Sequence, residues 1–233
     1  MAESQRVQKC KDISMLIGKT LIREQLDQST WTCHRDGKLI HSSDLQIGPH
    51  SVDVSLGGIF ITPELEAPHY AHVAVLDPYK ERQVHIRWTE TEKPFYDLKP
   101  GHFVLAHVRE RFTTTEGIEL RHPGSAPTLQ FVTQCYDGRS TVGRLGIMSH
   151  VTAGYGDYGF VSNFTLELHN VNPHIIVRLH RGMRIGQISF HGIENGGRPI
   201  PLYEGAYTRQ HDRPVPPSLG VSRFVQPGEI AHP

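Results

Sequence analysis

The stretch from Tyr136 to Asn170 concentrates side chains that could bind and transform an anionic ligand. It carries the arginines Arg139 and Arg144, an aspartate in a Gly-rich bend, Asp157, and a lone acid among leucines, Glu167. Guanidinium groups bind phosphates through paired hydrogen bonds, and a well-placed carboxylate can move protons to and from a reacting group. This stretch therefore indicates a site for a phosphorylated ligand with a reacting centre.

Each of these residues also has an ordinary structural interpretation. The run Phe160–Asn170 alternates apolar and polar residues, so Glu167 could be a solvent-facing acid on a strand. The arginines could form surface salt bridges. Ser140, beside a polar turn, could cap a helix, and an aspartate between glycines, such as Asp157, is common in turns.

Other kinds of chemistry find little support in the sequence. The three cysteines, Cys10, Cys33 and Cys135, form no CxxC pair, which argues against a disulfide framework or a Cys-rich zinc site. The 16 histidines are scattered and form neither HExxH nor the HxE and PCxxC signature of zinc-dependent nucleobase deaminases. A formal net charge of zero argues against a general attraction to nucleic acid. Any anion site must therefore be local.

The elements that must position these residues are mostly strands. The spacing of apolar residues predicts one amphipathic helix over Ile13–Asp27, and Thr32–Pro49 and residues 110–127 are predicted to be loops. Alternation and turn residues predict strands in these segments: Ser51–Pro63 with a Gly-Gly break, Ala71–Leu76, Gln83–Trp88, Phe95–Val108, Thr128–Tyr136, Phe160–Asn170, His174–His180 and Met183–Phe190. Many short strands with one helix indicate a mainly β barrel or sandwich.

The 233 residues are predicted to form one domain with two extensions. Residues 1–12 form a flexible polar arm, residues 13–211 form the domain, and residues 212–233 form a Pro-rich tail that could close over a site. No window approaches 18 uninterrupted apolar residues, and the N-terminus lacks the apolar run of a signal peptide. We therefore expect a cytoplasmic protein without a membrane partner.

The chain also carries an ordered series of short motifs. In chain order they are SVDVSLG from Ser51, DGRSTVGRLG from Asp137, HVTA from His150, GDYG from Gly156, LELHN from Leu166, RGMRIGQI from Arg181, and the set Tyr203, Tyr207 and Gln210. This series resembles the dCTP deaminase branch of the dUTPase-like superfamily. The resemblance spans the chain from about residue 13 to about residue 223.

The resemblance implies a fold and a reaction. It implies a mainly β fold, a distorted β-barrel of the dUTPase-like type with an N-terminal helix, assembled as a homotrimer with active sites at subunit interfaces. It also implies hydrolytic deamination of dCTP to dUTP and ammonia without zinc, with Mg²⁺ carried by the nucleotide triphosphate. The product would supply thymidine nucleotide synthesis. The expected partner is thus a small nucleotide, with neither nucleic acid nor a membrane.

The resemblance also implies roles for single residues. Glu167 would take a proton from the attacking water and deliver it to the cytosine ring. Ser140 and the backbone carbonyl of Ala153 would hold that water, and Arg144 would position both Glu167 and the water. The expected substrate-binding residues are Arg139 and Gln187 for phosphates, Thr141, Asp157 for the 3′-hydroxyl, and Tyr207 and Gln210 for the triphosphate.

Two other functions remain open on the same scaffold. A dUTP diphosphatase has an aspartate at the position of Asp157, and a bifunctional deaminase and diphosphatase would release dUMP. The acid Glu167 and the arginine Arg144 favour deamination over diphosphatase activity alone. A non-catalytic nucleotide-binding module is the third possibility, and the presence of Glu167 and Ser140 argues against it.

Overall fold

The computed structural model describes residues 15–65, 76–79, 86–120, 128–151, 153–193, 195, 198–208 and 211–218. Two helices fall in this part of the chain, α1 (Lys19–Asp27) and α2 (Ser140–Arg144), together with a 3₁₀ turn at Ser42–Asp44. The strands there are β1 (Met15–Leu16), β2 (Thr32–Arg35), β3 (Lys38–Ile40), β4 (Ser51–Ser55), β5 (Ile59–Leu65), β6 (Ile86–Glu92), β7 (Phe95–Leu98), β8 (Phe103–His107), β9 (Glu110–Thr113), β10 (Ile118–Leu120), β11 (Thr128–Gly138), β12 (Ile147–Met148), β13 (Tyr155–Gly156), β14 (Thr165–Asn170), β15 (Val177–His180) and β16 (Arg184–Ile193).

The described strands form four antiparallel sheets around one core. A six-stranded sheet runs β1-β16-β11-β10, with β4 on β16 and β13 on β11, and a five-stranded sheet runs β12-β14-β8-β5-β6. The smaller sheets are β15-β7 and β3-β2-β9. Val132 and Ile188 from the first sheet and Leu166 and Leu168 from the second belong to one buried cluster. Burial of these side chains is the main force that holds the two large sheets together.

This architecture confirms the mainly β class and the N-terminal helix. The sheets of the described residues do not close into a barrel, because their hydrogen-bonded ladders are interrupted between the four sets of strands. The predicted helix over Ile13–Asp27 is too long. It begins at Lys19 after Gly18, because Met15 and Leu16 pair with the end of β16 in an extended conformation.

Two predicted loops contain strands. In the segment Thr32–Pro49, β2 and β3 form a hairpin around Asp36 and Gly37, whose φ angles of 49° and 74° suit a two-residue hairpin turn. In residues 110–127, β9 pairs with β2 and β10 pairs with β11, whereas residues 121–127 lie outside the described part. The loop predictions were wrong in both segments, and for β2 and β9 the reason is that the two partners are far apart in the sequence, so that short local runs do not reveal their pairing.

Several other predictions fall wholly or partly outside the described residues. They concern the arm at 1–12, the strand over residues 71–75, the start of the predicted strand Gln83–Trp88, and the tail beyond Ser218. In the described part of the chain, no helix has both the length and the apolar composition needed to cross a bilayer.

Candidate functional site

Strand β14 presents Glu167 on its half-buried face. Burial alternates along the strand, so that Leu166 and Leu168 enter the core while Thr165 and Glu167 point the other way, as the sequence alternation predicted. Glu167 lies opposite Leu105 of β8 in the antiparallel register. Its Oε2 accepts a hydrogen bond of 2.8 Å from the backbone N–H of Val151. One carboxylate oxygen is therefore anchored to the preceding loop.

Glu167 lines a cavity of about 310 Å³ together with three other predicted site residues, Ala153, Asp157 and Tyr207. Other parts of the wall are aromatic or aliphatic: Trp88, Phe103, Leu105, Tyr155, Phe160, Phe164, Tyr203, Val215 and Pro217. A mostly apolar cavity with a few convergent polar groups is the usual form of a small-molecule site. The four motif residues thus share one pocket although 54 positions separate the first from the last in the sequence.

The tail of the chain forms part of this pocket because the strand of Glu167 binds it. The backbone N–H of Asp212 donates to Asn163 Oδ1 at 2.8 Å, and that of Val215 donates to Thr165 Oγ1 at 3.2 Å. Asn163 is itself held by bonds from Nδ2 to the carbonyl of Val108, at 2.9 Å, and to the next carbonyl. These side chains occupy the same alternating polar positions as Glu167, so the predicted face was correct although their role was missed.

Tyr207 is held by two hydrogen bonds, one from a residue just before β14 and one from the tail. Its carbonyl accepts the hydroxyl of Ser162 at 2.8 Å, and its phenolic oxygen accepts the N–H of Ser218 at 2.8 Å. The strand predicted over Phe160–Asn170 begins only at Thr165, because the residues before it bind the tail and neighbouring loops instead of a strand partner. Gln210, predicted to bind the triphosphate, lies outside the described residues.

Tyr136 positions the loop that carries Ala153. The Tyr136 N–H donates to the carbonyl of Gly154 at 2.6 Å, and its ring meets the ring of His150 edge-on with centroids 5.4 Å apart. Burial raises the pKa of the Tyr136 phenol well above its ordinary value. A Cβ on Gly186 would lie 2.4 Å from the Tyr136 ring, so the glycine provides the space that the ring fills.

The predicted phosphate-binding residues lie on the six-stranded sheet. Arg139 follows β11 and donates from an NH1 nitrogen to Asp53 Oδ2 at 2.7 Å. Asp53 on β4 is directly opposite Gln187 on β16. The amide oxygen of Gln187 accepts the hydroxyl of Ser51 at 3.3 Å. Arg139 and Gln187 therefore belong to one polar patch that Asp53 organises.

The helix α2 carries the remaining predicted residues. Ser140, Thr141 and Arg144 are all exposed on it, while Val142 is buried. The residues that line the cavity do not include these three, nor Arg139 or Gln187. Within the described part of one chain, Arg144 forms no ion pair with Glu167, whose carboxylate is bound by a backbone N–H instead. The predicted site is thus divided into the cavity and a second surface, the arginine face, which comprises Arg139, Gln187 and Asp53 with the exposed residues of α2.

Within the described part of the chain, no three or more His, Cys, Asp or Glu side chains are grouped so as to hold a metal ion. The guanidinium donors of the arginine face suit hydrogen bonding and charge pairing with an organic anion.

Comparisons with known proteins agree on one kind of relative. A family model described as dCTP deaminase-like matches residues 129–193. A "dCTP deaminase, dUMP-forming" of Dictyoglomus turgidum is 36% identical over 205 residues, which are 87% of this chain and 92% of that one. The protein of the same name from Dictyoglomus thermophilum is 39% identical over 188 residues, 78% of this chain and 86% of that one.

A solved structure also resembles the chain. It is a 2′-deoxycytidine 5′-triphosphate deaminase from Agrobacterium tumefaciens, with 17% identity and a TM-score of 0.47. The match covers 78% of this chain and 49% of the other, so this chain spans about half the length of that solved chain.

Proposed function

The chain belongs to the dCTP deaminase family, and from this premise we propose that it deaminates dCTP and hydrolyses the product to dUMP. The observation that carries the proposal is that Glu167 and Asp157 line the same cavity. The sequence resemblance predicts dUTP as the main product and dUMP as the alternative. The relatives named dUMP-forming favour the alternative.

Glu167 performs the proton transfers of the first reaction. Water attacks C4 of the cytosine, and Glu167 accepts one proton of that water and delivers it to N3. Glu167 then carries the second proton, from the hydroxyl now on C4, to the departing amino group. Ammonia leaves and C4 becomes the carbonyl of uracil. The Val151 N–H holds Oε2 of Glu167, which leaves Oε1 to exchange the proton. This anchoring supports a fixed carboxylate that needs no rearrangement during the reaction.

Asp157 acts in the second reaction. Its carboxylate activates a water that attacks the α-phosphorus of dUTP, so that the bond to the bridging oxygen breaks and pyrophosphate leaves. Asp157 and Glu167 thus divide the two hydrolyses between them. The location of both in one cavity supports a single bound nucleotide for both steps.

A second copy of the chain completes the site. Ser140 and Arg144 are exposed on α2 and do not line the cavity of their own chain. In the proposed homotrimer they reach the cavity of a neighbour, where Ser140 and the Ala153 carbonyl hold the water and Arg144 orients Glu167. A cytoplasmic location belongs to the same proposal.

The substrate is the magnesium complex of dCTP. Arg139, Thr141 and Gln187 bind its phosphates, because guanidinium, hydroxyl and amide donors suit phosphate oxygens. Tyr207 and Gln210 contact the triphosphate from the tail. The absence of HxE and PCxxC motifs from the sequence supports a reaction without zinc.

The test is direct product analysis. The purified protein is incubated with dCTP and Mg²⁺, with a zinc chelator that spares magnesium, and the products are separated by ion-exchange chromatography. We expect dUMP, pyrophosphate and ammonia in equal amounts. A dUTP peak without dUMP would limit the activity to deamination, and unchanged dCTP with wild-type protein would refute the proposed function.

A further inference from the structure

A single carboxylate oxygen lies between two arginines on the arginine face. Asp53 Oδ2 accepts hydrogen bonds from NH1 of Arg139 at 2.7 Å and from NH1 of Arg184 at 3.0 Å. The side chain of Asp53 is 18% exposed, whereas those of Arg139 and Arg184 are 31% and 55% exposed. The carboxylate is therefore enclosed and the cations reach outward from it.

The three strands of the sheet fix this arrangement. Asp53 lies on β4 opposite Gln187 of β16, Arg184 begins β16, and Arg139 directly follows β11. The backbone N–H of Arg139 also donates to the carbonyl of Ile185 at 3.1 Å, next to Arg184 in the sequence. Hydrogen bonds to Asp53 thus hold both guanidinium groups at the same end of the sheet, and the backbone bond of Arg139 to Ile185 places that residue next to Arg184.

The local charge does not cancel. One carboxylate faces two guanidinium groups, so the cluster carries an excess of one positive charge. Each guanidinium has five N–H donors, and Asp53 uses one NH1 group of each. The described part of the chain offers neither arginine a second side-chain acceptor. The unused donors and the excess charge suit an anion with several oxygens.

We propose that Arg184 is a second phosphate-binding arginine and that Asp53 is a positioning residue that sets the spacing of the two guanidinium groups. The proposal rests on the proposed function, which assigns Arg139 to the phosphates. Two guanidinium groups held side by side make more paired hydrogen bonds to a triphosphate than one, and so favour it over a monophosphate. An exposed ion pair alone adds little to stability, so folding does not account well for the pair with Arg184.

The first experiment compares Arg184→Gln, Arg184→Lys and a matched control. The control is Arg178→Gln, because Arg178 is also an exposed arginine paired with a carboxylate, at 2.7 Å from Asp97, but on β15. We expect Arg184→Gln to raise the KM for dCTP about tenfold, with kcat changed less than about twofold. Arg184→Lys should lie between, because lysine keeps the charge without the planar fork. Arg178→Gln should leave both constants unchanged.

Asp53→Asn separates positioning from charge. Removal of a negative charge beside two arginines would tighten phosphate binding if charge alone mattered. If Asp53 positions the guanidinium groups, the variant should instead raise the KM about fivefold at unchanged kcat. A lower KM for Asp53→Asn would refute the positioning role, whatever the thermal stability of the variant.

Binding of inorganic tripolyphosphate, measured by calorimetry, keeps this inference distinct from the proposed reaction. We expect its Kd to rise about tenfold in Arg184→Gln and to stay unchanged in Arg178→Gln. If wild-type protein binds tripolyphosphate in this way but does not turn over dCTP, the phosphate role stands and the proposed function fails. If Arg184→Gln matches wild type in both KM and Kd, Arg184 does not bind phosphate and the inference is wrong.

Discussion

The cavity around Glu167 and the arginine face differ in how much of their geometry one chain supplies. In the cavity, β14 holds the acid, the Val151 N–H anchors it, and the tail adds Val215 to the wall. On the arginine face, an enclosed Asp53 organises exposed cations. The cavity holds a half-buried acid beside apolar side chains, and the face presents open donors of the kind that a polyanion needs.

In the proposed reaction, the cavity would carry the chemistry and the arginine face would bind the phosphates. An apolar wall limits the bulk water around a base that must take a proton from one bound water, whereas phosphates keep much of their charge and are bound best by accessible, fixed donors. The two regions also stand apart in the chain's own structure, since the lining of the cavity omits Arg139, Ser140 and Gln187. Glu167→Gln should therefore lower kcat, whereas Arg184→Gln should raise the KM.

The largest effect should come from Glu167→Gln. The amide keeps the shape of the side chain but cannot accept the proton of the attacking water, so kcat for dCTP should fall by about 10³-fold. Affinity for dCTP, measured by calorimetry, should change little. His169→Gln is the matched control, because His169 lies two residues further on the same face of β14 and does not line the cavity. Turnover by Glu167→Gln at the wild-type rate would overturn the assignment.

The next effect tests whether the two regions meet across a subunit interface. Glu167→Gln and Ser140→Ala are each expected to be inactive alone. When the two proteins are unfolded and refolded together, about a quarter of the sites in mixed trimers should combine an intact Glu167 with an intact Ser140. Activity of the mixture should therefore rise to about a quarter of the wild-type value. Failure of a mixed assembly to regain activity would place both residues in one chain's site.

A smaller effect should come from the tail contact. Thr165→Val keeps the shape of the side chain but loses the oxygen that accepts the Val215 N–H. A lost hydrogen bond of this kind is worth about 1 kcal/mol, so the KM for dCTP should rise about fivefold, with a smaller change in kcat. Thr62→Val, on β5 and outside the cavity lining, is the control. Equal kinetics for both variants would show that the tail plays no part in nucleotide binding.

The smallest effect concerns acid stability of the strand beside β14. His107 lies opposite Thr165 and is 3% exposed, and burial lowers its pKa below the usual value of about 6.5. Below about pH 6.5 the His107 imidazole takes up a proton more readily in the unfolded chain than in the folded one. The contribution of neutral His107 to the free energy of unfolding is therefore complete above about pH 6.5, and it is lost as the pH falls toward the pKa of His107 in the folded protein.

The measurement is the Tm of wild type and His107→Gln at pH 7.5 and pH 5.5. The wild type should lose about 2–4 °C more than the variant on acidification. An equal loss of Tm in both proteins would show that the acid sensitivity comes from other groups and not from His107 on β8.

Local pattern and motif order accounted for much of the cavity. The alternation of β14 placed Glu167 and Thr165 on one face, and the motif series brought in Ala153 and Asp157. The anchoring of the tail on Asn163 was not predicted, because the two partners are 49 positions apart and no local pattern joins them.

The arginine face was harder to predict for the same reason. Asp53 is separated from Arg139 by 86 positions and from Arg184 by 131, and the pairing of both β4 and β11 with β16 brings the three together. The hairpin at Asp36 and Gly37 was a different kind of miss. An Asp-Gly pair is a strong local hairpin signal, but the flanking strands β2 and β3 are only four and three residues long, too short to show a clear alternation of apolar and polar residues.

The hydrogen bonds that the tail donates to Asn163 and Thr165 have a kinetic consequence. If each contributes about 1 kcal/mol, opening the tail costs about 2 kcal/mol, and the open form is about 30-fold less populated than the closed one. A nucleotide that enters through the opened form meets only that minority, so its apparent association rate falls by the same factor. In the proposed reaction, the product would meet the same barrier on its way out, and the tail would slow its departure by the same factor.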